Sequence, residues 1–139
     1  MPGPDSTTVA DIQLLYGRQS HAIDSGRAAE WAETFTANGV FDSPSYPEPE
    51  VGSDQLTAFA QRFFDSAIES NEKRRHVITN IAVDLVSVDE LIVDCYLQIM
   101  ATPRGGDTRL VRFTSVRDRV VRVDDRWRIQ HRTVSRDDA

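Results

Sequence analysis

Few residues in this chain can move a proton near neutral pH. They are the histidines His21, His76 and His131, carboxylates such as Asp24 and Asp42, and the tyrosines. His76 has the most informative neighbourhood, "KRRHVITN" at residues 73–80. On a strand, His76, Ile78, Asn80 and Ala82 share one face, while Val77, Thr79, Ile81 and Val83 share the other. Imidazole accepts or shuttles protons near pH 7. Asn and Tyr donate hydrogen bonds to a developing oxyanion. A carboxylate in an apolar cavity becomes a usable base, because burial penalises its charge. The candidate catalytic residues are therefore His76, Asp24 and Asp42. The candidate substrate contacts are Tyr16, Asn80, Tyr96 and His131.

Each has a plainer alternative. Asp24 can simply end a helix, although a negative charge there opposes the helix dipole. Asp42 can form an Asx turn before Ser43-Pro44. Tyr16 lies on a core stripe. His131 shares a core-like strand face with Trp127, Ile129 and Thr133. Tyr96 alternates with the oily series Leu91, Val93, Cys95, Leu97 and Ile99, so it meets a ligand only if the polar face of that strand lines the cavity. Asp118 and Arg132 read as a cross-strand ion pair.

Other chemistries lack their signatures. There is no Gly-rich phosphate loop, no paired cysteine ligands, no serine elbow and no HExxH. The three histidines are spaced 55 residues apart each time, which supports no metal site. Acid–base chemistry without metal or cofactor is what remains. Cys95 is the sole cysteine and reads as a buried, inert thiol. Net charge is −8 over residues 1–70 and +2 over 71–139. The arginines of the second half are interleaved with Asp107, Asp118, Asp124 and Asp125, which suits a salt-bridged sheet rather than a nucleic-acid track. No stretch approaches the roughly 20 apolar residues of a membrane span, and no leader is visible, so a cytoplasmic location is expected.

The elements that must position these groups follow from periodicity. Ser6 or Thr7 can cap a helix to about residue 25, stopped by Gly26, with Val9, Ile12, Tyr16 and Ile23 as its stripe. Gly17 in its middle suggests close packing. Residues 27–37 read as a second short helix, with Trp31 and Phe35 on one side and Asn38-Gly39 as its stop. Residues 40–43 suit a short strand, followed by a proline-rich segment. Ser53 can cap a third helix to about residue 70. Strands at about 73–86, 91–102, 108–123 and 126–135 close the chain, joined by turns. The order is α+β, spanning residues 1–139 as one domain, with 1–6 a loose arm.

The pieces "HAIDSGRAAEWAETFTANGVFDSP", "VGSDQLTAFAQRFF", "RRHVITNIAV" and "DDRWRIQHR" resemble, in that order, the SnoaL-like proteins of the nuclear transport factor 2-like (NTF2-like) superfamily. The resemblance spans about residues 9–134. It implies a cone: three N-terminal helices packed on a strongly curved, mostly antiparallel sheet that encloses a cavity. It also implies a cyclase or dehydratase acting by acid–base catalysis on a hydrophobic, aromatic polyketide-like intermediate. Asp24 and His76 match the acid and histidine of the scytalone dehydratase pattern, with Ile23 where that pattern has tyrosine. Asp42 matches the base of the ketosteroid isomerase pattern, and Tyr16 is nearest its oxyanion tyrosine. The alternatives are such an isomerase, or a non-catalytic ligand-binding or accessory module similar to the small subunits of ring-hydroxylating dioxygenases. An oily outer face carrying Val77, Thr79, Ile81 and Val83 would be a liability if bare, so a two-fold homodimer through it is expected.

Overall fold

The computed structural model describes residues 3–138. The first helix, α1, runs Ser6–Asp24 and is capped one residue earlier than expected, by Asp5, whose Oδ1 accepts the Thr8 N–H at 2.8 Å. Part of the expected arm thus anchors the helix, and residues 1–2 of it lie outside the described residues. Ile12, Tyr16, Gln19, Ala22 and Ile23 form its buried face. Gly26 ends it at φ 79°, where a Cβ would sit 2.9 Å from the Phe64 ring. Gly17 packs against nothing: no heavy atom lies within 4 Å of a Cβ built there.

The second helix, α2, stops at Ala28–Glu33 rather than reaching residue 37. Thr34 turns the chain. Its hydroxyl donates to the Trp31 carbonyl at 2.6 Å, and its own carbonyl accepts the Ile129 N–H at 2.8 Å. Phe35–Asp42 then forms strand β1. Sheet pairing here outweighs local helix propensity. Asn38-Gly39 is an irregularity within β1, not a helix stop, since the ladder shifts between Phe35 and Val40. Trp31 and Phe35 still meet, with ring centroids 5.0 Å apart.

Strand β2 is Glu50–Val51 and helix α3 is Gly52–Glu69. Gln55, not Ser53, serves the start of α3, its Oε1 accepting the Val51 N–H at 2.8 Å. Strands β3 (Glu72–Ser87), β4 (Glu90–Pro103), β5 (Arg109–Val123) and β6 (Arg126–Arg136) complete an α+β fold. Asp124 and Asp125, both at positive φ, make the β5–β6 hairpin turn.

The sheet order is β2-β1-β6-β5-β4-β3, antiparallel except for β1 beside β6. It is an open six-stranded sheet with β2 and β3 at its edges, and α3 follows two strands instead of preceding them all. That corrects the expectation of three N-terminal helices. The helices cover one face, where Ile12, Trp31, Leu56 and Phe59 meet Leu91, Val93, Leu97 and Ile99 of β4. The oily side of β4 therefore looks inward.

Two bulges decide which side chains join this inner face. In β3 the ladder shifts between Thr79 and Ala82, with Asn80 at φ 55°. Ahead of the bulge His76 and Ile78 turn inward; beyond it Ile81, Val83 and Leu85 do. In β6 the shift falls between Ile129 and His131, so Trp127 and Ile129 are buried before it, and Arg132 and Val134 after it.

Candidate active site

The inner face places His76, Ile99 and Arg112 in one row across β3, β4 and β5. The next row is Ile78, Leu97 and Thr114. The helices close over these rows with Ile23, Trp31 and Phe59, leaving a cavity of about 30 Å³ that His76, Leu97, Ile99, Arg112, Thr114 and Arg132 also border. Beyond it lies a cleft of about 320 Å³ lined by Phe63, Arg62, Arg74 and Val111. The two spaces share Tyr46, Phe59, Ile99 and Arg112.

Asp24 and His76 are brought together. As the last residue of α1, Asp24 reaches β3, and both its carboxylate oxygens accept the His76 backbone N–H, at 3.1 and 3.0 Å. Asp24 Oδ1 also lies 2.7 Å from His76 Nδ1, and each side chain is 13% exposed. A carboxylate facing Nδ1 fixes the proton there, which leaves a lone pair at Nε2, the other nitrogen of a ring that borders the cavity. Phe63 packs on the imidazole at 4.8 Å between centroids. The geometry is that of a held general base.

Tyr16 is fully buried but sealed away from the cavity. Its hydroxyl donates to Asp118 Oδ2, while Arg132 forks onto the same carboxylate at 2.9 and 2.8 Å. Asp118 and Arg132 are register partners, the cross-strand ion pair that their sequence suggested. Burial, then the Asp118 charge, pushes the Tyr16 pKa well above its ordinary value. Burial opposes the Arg132 charge, yet Asp118 raises its pKa overall. Burial also pushes the Cys95 thiol up to about 12, which makes it unreactive.

The other four sequence candidates lie elsewhere. Asn80 is exposed on the bulge, where positive φ turns it off the His76 face. Tyr96 is on the outer face, 45% exposed and tilted against Phe113 at 6.0 Å between ring centroids. His131 is turned outward by the β6 bulge. Asp42 alternates with Phe41 and Ser43, both buried at the cavity, and so occupies the opposite face of β1. Sequence reasoning missed Ser43, Tyr46, Arg112 and Thr114. Arg112 and Thr114 did carry a signal: they alternate in phase with Val116 and Val120 of the core.

A profile of the SnoaL-like domain matches residues 4–133, nearly the whole length. The chain belongs to the SnoaL-like domain family. No curated protein sequence matches it. Among solved structures, a chain from Catenulispora Acidiphila, in complex with S-DNPA, is 29% identical, with 96% of each chain covered and a TM-score of 0.83. ActVI-ORFA from Streptomyces Coelicolor is 21% identical, with 97% of this chain and 98% of that one covered, at a TM-score of 0.87. An NTF2-like protein with a cystatin-like fold from Novosphingobium aromaticivorans is 18% identical, covering 97% and 92%, at 0.81. The last two likenesses establish the NTF2-like fold alone. No helix among the described residues is long and apolar enough to cross a membrane.

Proposed function

We propose that this SnoaL-like chain is a cofactor-independent acid–base enzyme, a cyclase or dehydratase acting on an aromatic polyketide-like intermediate. The observation that carries the reading is the Asp24–His76 pair at the wall of an aromatic-lined cavity. His76 Nε2 removes a proton from carbon or hydroxyl, and Asp24 stabilises the imidazolium that forms. The Thr114 hydroxyl, buried and without a hydrogen-bond partner among the described residues, donates to the substrate oxygen on which charge develops. Trp31, Phe41, Phe59 and Leu97 exclude water and hold a flexible chain in one conformer. The relative in complex with S-DNPA supports small-molecule binding. The test is turnover of polyketide pathway intermediates by the wild-type protein and His76→Ala. Equal rates would remove His76 from the mechanism.

One observation favours a binding module instead. Ile23, an apolar wall residue, stands where the dehydratase pattern has tyrosine, so one hydroxyl of that site is missing. A ligand that raises the melting temperature and is never converted would support that reading.

We also propose a homodimer through the outer sheet face, with a revised composition. The bulge takes Ile81 and Val83 inward and leaves Val77, Tyr96 and Phe113 as the oily patch. Sedimentation at micromolar concentration checks it, and a monomer there would refute it.

A further inference from the structure

We infer that the substrate of this site is an acid: a ring-sized apolar body carrying a carboxylate that Arg112 holds. The inference rests on the cavity being the substrate site and adds the class of molecule that fits it. Four arginines border the cavity and the cleft, and three have carboxylate partners. Arg62 pairs with Glu50 at 2.8 Å, Arg74 with Glu72 at 2.7 Å and Arg132 with Asp118 at 2.8 Å. Arg112 has none among the described residues. Its Nη1 donates to the Tyr46 hydroxyl at 3.3 Å, and its guanidinium lies 5.5 Å from the centre of that ring. A guanidinium is charged at any pH the protein survives, and a half-buried one has lost part of its hydration. It gains most from a planar anion that accepts two parallel N–H bonds.

Arg112 is also in the right place. It borders both the inner cavity and the outer cleft. It shares a row with His76, with only Ile99 of β4 between them. Neighbouring strands lie about 4.8 Å apart, so the base and the cation are rooted about 10 Å from each other. A fused aromatic ring system lying across Leu97 and Ile99 spans that gap, its carboxylate on Arg112 and its reactive carbon toward Nε2. Tyr46, packed edge-on against Phe59 at 4.9 Å, stands at the junction and must move aside to admit it.

The experiment compares 2-naphthoate with its neutral isostere 2-naphthamide, by isothermal titration calorimetry at low salt. The wild-type protein is expected to bind the acid at least tenfold tighter than the amide. Arg112→Met is expected to bring the two within twofold of each other, and Arg112→Lys to retain part of the preference. Melting temperatures within a few degrees of wild type show that the variants are folded, and the lysine variant keeps the test open if the methionine variant is not. Equal affinities in the wild type, binding of neither probe at millimolar concentration, or a preference that survives in Arg112→Met would each overturn the inference. His76→Ala, which stops turnover under the catalytic reading, leaves the acid preference intact. A protein that selects the acid but converts nothing therefore loses the catalytic reading only.

Discussion

Replacing Asp24 by asparagine tests the site without a known substrate. The carboxylate accepts the His76 backbone N–H and faces Nδ1, so one side chain both anchors β3 to the end of α1 and sets the imidazole tautomer. Asparagine keeps one oxygen, enough for the backbone N–H, and turns its NH₂ toward Nδ1. The ring must then present a lone pair at Nδ1, so its proton moves to Nε2. Nε2 of His76 changes from acceptor to donor. A hydrogen bond to a charged group contributes about 1.5–3 kcal/mol and a neutral one about 0.5–1.5, so the exchange costs about 1–1.5 kcal/mol. At about 3–4 °C per kcal/mol for a chain of this size, the melting temperature falls by roughly 3–6 °C. Turnover, once a substrate is in hand, falls by about 10²–10⁴. The direct assay is long-range ¹H–¹⁵N correlation of the His76 ring, which distinguishes the two neutral tautomers. Wild type is expected to show the Nδ1–H pattern and Asp24→Asn the Nε2–H pattern. An unchanged ring pattern in the variant would refute the reasoning, because Asp24 would then not be what holds the proton.

Three further outcomes follow from other parts of the fold. Arg132→Met leaves Asp118 charged and fully buried with only Tyr16 as partner. It should cost about 3–5 kcal/mol in urea denaturation, and Asp118→Leu combined with Arg132→Met should recover most of that. The raised Tyr16 pKa favours the neutral phenol in the folded state, so its stabilising contribution is complete below about pH 10. That contribution is lost as pH rises above 10, so phenolate absorbance of Tyr16 should appear only together with unfolding, a step that Tyr16→Phe abolishes. Gly17→Ala, on an exposed helix surface with open space around it, should stabilise by about 1 kcal/mol, seen as a higher melting temperature.

The first and third helices and the four long strands were legible because their apolar periods run over many residues, even where a bulge shifts the phase. Residues 34–39 were not, since the sequence there is compatible with a helix and is made a strand by pairing with β6. Asp24 and His76 were legible as site candidates. Their types suit proton transfer, and the resemblance paired them, though 52 residues separate them. Asn80 and His131 were misassigned for one physical reason: strict alternation was carried through a bulge. Tyr96 and Asp42 required knowing which side of the sheet the helices cover. Arg112 was read as one more member of a salt-bridged surface. What separates it from the other arginines at the cavity and cleft is that it has no carboxylate partner among the described residues, a property of the folded surroundings.

The bulge at Asn80 divides β3 into two halves whose inward positions have opposite parity. Removing a single residue there would restore regular pleating. It would also bring His76, Ile78, Ile81, Val83 and Leu85 into one parity, so the same side chains would face inward without a bulge. A strand of the present length pleated regularly could not present His76 to the cavity and Ile81, Val83 and Leu85 to the core at the same time. Relatives that keep the bulge should therefore differ in length near this point by even numbers, and relatives without it by odd numbers. Any comparison that slides by one residue across it would assign solvent-facing side chains to the cavity.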